Sequence, residues 1–524
     1  MVDALKVTDL TVTSTTTGAV LAEQITLSVA NGEFVGLVGE SGSGKTTVGF
    51  ACLGFTRPGT RISAGRVTVG DCEPFLMSRA QLVALRRSRI AYVPQSAGYA
   101  LNPALTIGAQ LGDRLFEACD SRSVLLRALK MVDLPATAEF LRRYPHQLSG
   151  GQQQRVVVAA ALITDPKVVI FDEPTTGLDV AVQSQILDMI RDVCREKETA
   201  GLFISHDLAA VASLCDRTIV MRRGRIVEDG PTPDVFERPV EPYTKMLIGA
   251  VPSLKKAMSA HACPEPPVGD TQGAAGNVGG TLSASQLSVS YGSNRILHGL
   301  NLKFEPGKCT AILGESGSGK TTLCRSLIGL QGRYEGTVSL DGETLQPKAR
   351  QRDMRQRRDL QYVFQNPYDA LNPRSKVRDI LAKPMHFVGE PVPAGFVEGL
   401  LARVSLRPEI ADRFPHQLSG GERQRIALAR ALALRPRVMI CDEVTSALDV
   451  SVQASIVDLI TDLRRETAMT VIFVTHNLAL VPLIAENVVV LKAGRIVDEG
   501  PTMDVFRNPR SEYTTALLEK TPDL

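Results

Sequence analysis

Short apolar runs recur along the chain, each closed by polar or glycine-rich residues. EFVGLVG (33–39), KVVIFDE (167–173) and AGLFISH (200–206) are continuous hydrophobic stretches of strand length. Between them lie longer stretches such as GQQQRVVVAAALIT (151–164), whose length suits a helix. Strands buried on both faces read as unbroken apolar runs, so this alternation predicts a mainly parallel α/β sheet with crossover helices.

The pattern occurs twice. GESGSGKTT stands at 39–47 and again at 314–322, and YPHQLSGG (144–151) returns as FPHQLSGG (414–421). FDEPTTGLDVAVQ (171–183) returns as CDEVTSALDVSVQ (441–453), and SHDL (205–208) as THNL (475–478). His206 and His476, Asp172 and Asp442, and Tyr243 and Tyr513 are each 270 residues apart, whereas Lys45 and Lys320 are 275 apart. A linear duplication with one internal length change accounts for both spacings. Residues 251–281 carry Pro, Gly, Ala and Ser without apolar periodicity and are expected to form a flexible linker. The expected domains are therefore 1–250 and 282–524, a division that 524 residues accommodate.

The chemistry follows from the repeats. Gly39, Ser41, Gly42, Ser43, Gly44, Lys45, Thr46 and Thr47 follow an apolar strand and open a helix, as do Gly314, Ser316, Gly317, Ser318, Gly319, Lys320, Thr321 and Thr322. Glycines let backbone N–H groups turn inward around phosphate oxygens, and the helix N-terminus adds partial positive charge. Lys45 and Lys320 reach the β- and γ-phosphates, and Thr46 and Thr321 supply hydroxyl ligands for Mg²⁺. Asp172-Glu173 and Asp442-Glu443 end apolar strands, where nucleotide ligands sit in parallel sheets. Asp172 and Asp442 are the expected Mg²⁺ residues, and Glu173 and Glu443 the bases that polarise the attacking water. ATP and Mg²⁺ are the implied ligands.

Leu148-Ser149-Gly150-Gly151-Gln152 and Leu418-Ser419-Gly420-Gly421-Glu422, each shortly before a DE strand, resemble the signature motif of ABC ATPases. An ordinary helix cap is the competing reading for Ser149 and Ser419. The resemblance spans both halves. It implies two tandem P-loop (RecA-like) ATPase domains of α/β class, each with an antiparallel β subdomain and a helical subdomain. It also implies that the signature of one domain closes over the ATP of the other. By the same resemblance Gln95 and Gln365 contact Mg²⁺ and the attacking water. Asp179 and Asp449 cross the domain interface, His206 and His476 contact the γ-phosphate, and Tyr291 stacks on adenine. The first half offers Ser14 where the second has Tyr291, so weaker nucleotide affinity is expected at Lys45 than at Lys320.

The segments 365–374, 95–103, 242–254 and 511–522 resemble ATPases of oligopeptide, dipeptide, nickel and glutathione importers. The last two also read as short amphipathic helices packed on their own domains. That resemblance implies two integral-membrane permease partners, an extracytoplasmic substrate-binding protein and a peripheral place on the cytoplasmic face of the membrane. A soluble ATPase acting on ribosomes is the alternative; it would need a long charged arm, which 251–281 does not supply. The balance of 59 basic and 56 acidic residues gives no stripe for a nucleic-acid partner. The nine cysteines lack any CxxC pair and are expected as reduced thiols, and Cys263 alone does not support an iron–sulfur cluster. The N-terminus shows no secretory signal, and no apolar run approaches the ~18 residues of a membrane span.

Overall fold

The computed structural model describes residues 3–115, 121–178, 180–259, 279–446, 448–519 and 521. The chain divides into two compact lobes, the bulk of the first being Met1–Val251 and the second beginning at Pro252.

In the first lobe a six-stranded sheet runs in the order Ile90–Val93, Val168–Asp172, Ala200–Ile204, Phe34–Val38, Arg217–Arg222, Arg225–Pro231. The first five strands are parallel and the last is antiparallel. A three-stranded antiparallel sheet, ordered Val20–Ala30, Asp3–Ser14, Thr60–Val69, accompanies it. The second lobe repeats the six-stranded order with Leu360–Val363, Val438–Asp442, Thr470–Val474, Cys309–Leu313, Asn487–Lys492 and Arg495–Pro501. Its antiparallel sheet gains a short fourth strand, Glu343–Thr344, beside Glu335–Leu340.

Side chains alternate across a strand, which divides each apolar run between two cores. Val35, Leu37, Val168 and Ile170 pack with the antiparallel sheet, while Phe34, Val38, Val169 and Phe171 pack with the helices. These continuous runs are fully buried because both faces of the sheet are covered.

Strand register also aligns the two lobes. Leu5 pairs with Val29 as Leu282 pairs with Phe304, and Thr13↔Val20 corresponds to Ser290↔Arg295. Ser14 and Tyr291 are thus the matching last residues of their strands, and the first hairpin is two residues longer.

The segment expected to be a flexible linker, 251–281, contains a helix near its start, Leu254–Ser259. Leu254, 8% exposed, joins the helical-side core of the second lobe. Six residues are too few for periodicity to show, so packing rather than local pattern specifies this helix. Residues 260–278, including Cys263, lie outside the described residues. None of the seven described cysteines forms a disulfide, and six of them are buried. Among the described residues no helix is long and apolar enough to cross a membrane.

Candidate active site

Four adjacent parallel strands deliver the candidate residues at their C-terminal ends. In the first lobe Val38 leads into the glycine loop, Val93 toward Gln95, Asp172 into Glu173, and Ile204 toward His206. That edge is where an open parallel sheet binds its ligand.

The glycine loop needs its glycines. Gly39 sits at φ +146, and a Cβ there would lie 2.2 Å from the Met221 carbonyl oxygen; Gly314 repeats this at 2.3 Å from that of Leu491. Lys45 Nζ donates to the carbonyls of Gly39 at 2.7 Å and Glu40 at 2.9 Å, and reaches Ser43 Oγ at 3.5 Å. Lys320 Nζ does the same to Gly314 at 2.7 Å and Glu315 at 3.0 Å. Burial draws Lys45 below the usual lysine range, although the carboxylates around it oppose that shift. Ser41, Gly42, Gly44, Thr46 and Thr47 belong to the first loop and the opening turn of helix Lys45–Cys52. Ser316, Gly317, Ser318, Gly319, Thr321 and Thr322 hold the same places before and within Lys320–Ile328.

Beside the loop, Thr46 Oγ1 donates to Asp172 Oδ1 at 3.1 Å. Gln95 Nε2 donates to Glu173 Oε2 at 2.7 Å, and Thr176 Oγ1 donates to the same oxygen at 3.2 Å. His206 Nδ1 lies 3.1 Å from Glu173 Oε1. The second lobe repeats the cluster: Gln365 Nε2 donates to Glu443 Oε2 at 2.6 Å, His476 Nδ1 lies 3.8 Å from that oxygen, and Lys320 Nζ is 3.9 Å from Glu443 Oε1. Glu173 and Glu443 both have positive φ, 50° and 48°. That left-handed conformation costs a residue with a Cβ about 1–2 kcal/mol. In both lobes it turns the chain directly after the buried strand.

Burial alone would raise the Glu173 carboxyl, but the His206 hydrogen bond, the His206 charge and Lys45 outweigh it and hold it below the usual range. Burial also opposes charge on His206, yet the Glu173 hydrogen bond and charge raise it above the ordinary 6.5. The folded lobe therefore binds this proton more tightly than the unfolded chain does. The resulting stabilisation is complete below the unfolded value and fades as pH climbs through the raised one. An NMR titration is expected to place the His206 midpoint above 6.5, and Glu173→Gln to lower it, since burial then acts with less opposition. A midpoint unmoved by that substitution would refute the pairing.

Ser149 and Ser419 cap helices Gly150–Leu162 and Gly420–Leu432. Ser149 Oγ accepts from the Gln152 N–H at 3.3 Å, and Gln152 Oε1 accepts in return at 3.1 Å. Ser419 Oγ accepts from the Glu422 N–H at 3.2 Å, and Glu422 Oε2 accepts in return at 2.7 Å. Within each lobe the ordinary cap is therefore real, with Gly150, Gly151, Gly420 and Gly421 forming the first turn. Tyr291 is 50% exposed, while Ser14 Oγ accepts from the Thr16 and Thr17 N–H groups at 3.3 and 3.2 Å, closing the longer turn. Asp179 lies outside the described residues, and Asp449 immediately precedes helix Val450–Thr467.

Two further tyrosines join the site, each three residues before Gln95 or Gln365. Tyr92 OH donates to Asp172 Oδ2 at 2.9 Å, and Tyr362 OH hydrogen-bonds Asp442 Oδ2. Their strands pair in register, so Tyr92 shares a face with Ile170 and Asp172. Burial raises both aspartates above the usual carboxylate range.

Comparison with known proteins accords with this geometry. The ABC transporter family model matches residues 22–176 and 297–446. The model of the oligopeptide/dipeptide transporter C-terminal region matches 227–273. The glutathione import ATP-binding protein GsiA of Salmonella paratyphi A is 38% identical over 536 aligned residues, covering 95% of this chain and 86% of the relative. Those of Pectobacterium atrosepticum and Escherichia coli (strain K12) are 37% and 36% identical, with the same coverage. The chain belongs to the ABC transporter family, as an ATP-binding protein with two fused nucleotide-binding domains. It is an ABC-type ATPase.

Proposed function

We propose that this chain energises import of peptide-type solutes, glutathione among them, through two membrane permeases supplied by an extracytoplasmic binding protein. It would do so from the cytoplasmic face, as a peripheral subunit. The observation that carries this reading is the pairing of two complete catalytic clusters with the 227–273 segment, which matches the C-terminal region of oligopeptide/dipeptide transporters. Relatives named for glutathione import support the solute class.

In each lobe the glycine loop and its lysine bind the triphosphate of ATP. Glu173 and Glu443 accept a proton from the attacking water, with their oxygens oriented by Gln95 and Gln365 and by His206 and His476. Asp442 Oδ1 and Ser318 Oγ are buried with no hydrogen-bond partner among the described residues, which suits a cation and a phosphate beside them. Thr46, Gln95 and Asp172, and Thr321, Gln365 and Asp442, would hold Mg²⁺, which neutralises charge developing on the phosphates. Each ATP would be completed by the other lobe's signature, Lys45 working with Ser419 and Lys320 with Ser149. Asp179 and Asp449 would lie at that junction. ATP binding would draw the lobes together and hydrolysis would release them.

The test is vesicle reconstitution with the permeases and binding protein. Glutathione or a dipeptide is expected to raise ATP turnover and to accumulate inside the vesicles' equivalent of the cytoplasm. Turnover indifferent to every such solute, but stimulated by ribosomes, would overturn the import reading.

A further inference from the structure

The C-terminal helix of each lobe touches its phosphate loop from its first turn. Tyr243, on helix Pro242–Gly249, accepts the backbone N–H of Glu40 on its hydroxyl at 3.1 Å. Tyr513, on helix Glu512–Glu519, accepts that of Glu315 at 3.0 Å. Glu40 and Glu315 are the second residues of the two glycine loops. Some 200 residues of sequence separate each tyrosine from its donor, yet the bond recurs in both lobes.

The rings are held as well as the hydroxyls. The Arg222 guanidinium stands 4.7 Å from the Tyr243 ring centre, and Lys492 Nζ 4.7 Å from that of Tyr513. Arg222 and Lys492 close the strands that flank each loop strand. The start of each tail is fixed by a carboxylate. Glu228 accepts the Val240 N–H at 2.8 Å and the Glu241 N–H at 3.3 Å. Asp498 accepts the Arg510 and Ser511 N–H groups at 3.2 and 3.0 Å, and the Thr514 hydroxyl at 2.6 Å. Tyr243 and Leu247 are buried in the first lobe, and Leu517 in the second. A tail secured at one end by a carboxylate and by apolar packing delivers its phenol to the rim of the loop.

We propose that Tyr243 and Tyr513 are positioning residues, through which the C-terminal helix of each lobe sets the shape of its phosphate loop and hence its nucleotide affinity. The proposal rests on the glycine loops being the nucleotide sites. It gives the 227–273 segment a role inside the ATPase itself, beside any role toward the transported solute.

Phenylalanine keeps the ring, its packing and its cation contact, and removes the hydroxyl that accepts the loop N–H. The second lobe's site can be read alone in a Lys45→Ala background, with a fluorescent ATP analogue. There Tyr513→Phe is expected to weaken binding about fivefold, the order expected for a lost hydrogen bond. The melting temperature without nucleotide is expected to stay unchanged while its rise on adding ATP shrinks, which a purely structural role would not produce. Thr514→Val, which loosens the tail at Asp498 and leaves the phenol intact, is expected to weaken binding by a smaller factor and serves if Tyr513→Phe fails to fold. Unchanged affinity in the variant that folds overturns the proposal. If adding Lys320→Ala to the same background also leaves binding unchanged, the assignment of the nucleotide site itself is wrong.

Discussion

Replacing both Glu173 and Glu443 with glutamine is expected to slow ATP turnover by about 10²–10⁴-fold, the usual contribution of a positioned general base. Glutamine keeps the side-chain length and an oxygen that can accept from Gln95 or Gln365, so binding of ATP is expected to persist. What disappears is the acceptor for the water's proton and the charge that pairs with His206. Each single variant is expected to lose its own site's turnover, because each lobe carries its own lysine, glutamine, aspartate and histidine, with the lysine and glutamine in matching geometry. Phosphate release assays on both single variants and the double variant measure this directly. Full activity in either single variant would show that its site does no hydrolysis.

The second large effect is an inequality between the lobes. Nucleotide affinity measured in Lys320→Ala, which leaves the first lobe's site, is expected to be lower than in Lys45→Ala, which leaves the second. Tyr291 offers an aromatic face at the end of its strand, while the matching Ser14 spends its hydroxyl on the hairpin turn. Stacking contributes about 1–3 kcal/mol on nucleic-acid bases, or about fivefold to 150-fold in affinity. The half-exposed ring favours the lower end of that range. Serine to tyrosine at position 14 is expected to narrow the gap. Equal affinities in the two lysine variants would eliminate the asymmetry.

Much of this site was legible in the sequence because its parts are carried by local patterns. A glycine loop between an apolar strand and a helix, or a DE pair closing a buried run, is a short-range feature that a duplication makes unmistakable. The register of 270 residues placed Tyr243 opposite Tyr513. It could not show that either phenol meets a glycine loop some 200 residues away, because that contact is a product of sheet order. Tyr92 and Tyr362 had a signal of a kind, each standing three residues before the glutamine in a strand beside the DE strand. Alternation along that strand puts them on the aspartate's face, which strand pairing alone reveals. The helix at Leu254–Ser259 had no signal, since two buried residues in six make no period. Ser149 and Ser419 were legible in both senses, as caps and as signature residues, and the structure bears out the first within each lobe.

Glu173 and Glu443 occupy a backbone region that glycine enters freely and glutamate resists. The protein thus accepts a local energetic penalty twice, at the two positions proposed to take the proton of the attacking water. Glycine would relieve that penalty but would also remove the carboxylate that Gln95 and His206 contact in one lobe and Gln365 and His476 in the other. Directed evolution of this chain should therefore screen for heat resistance and turnover together.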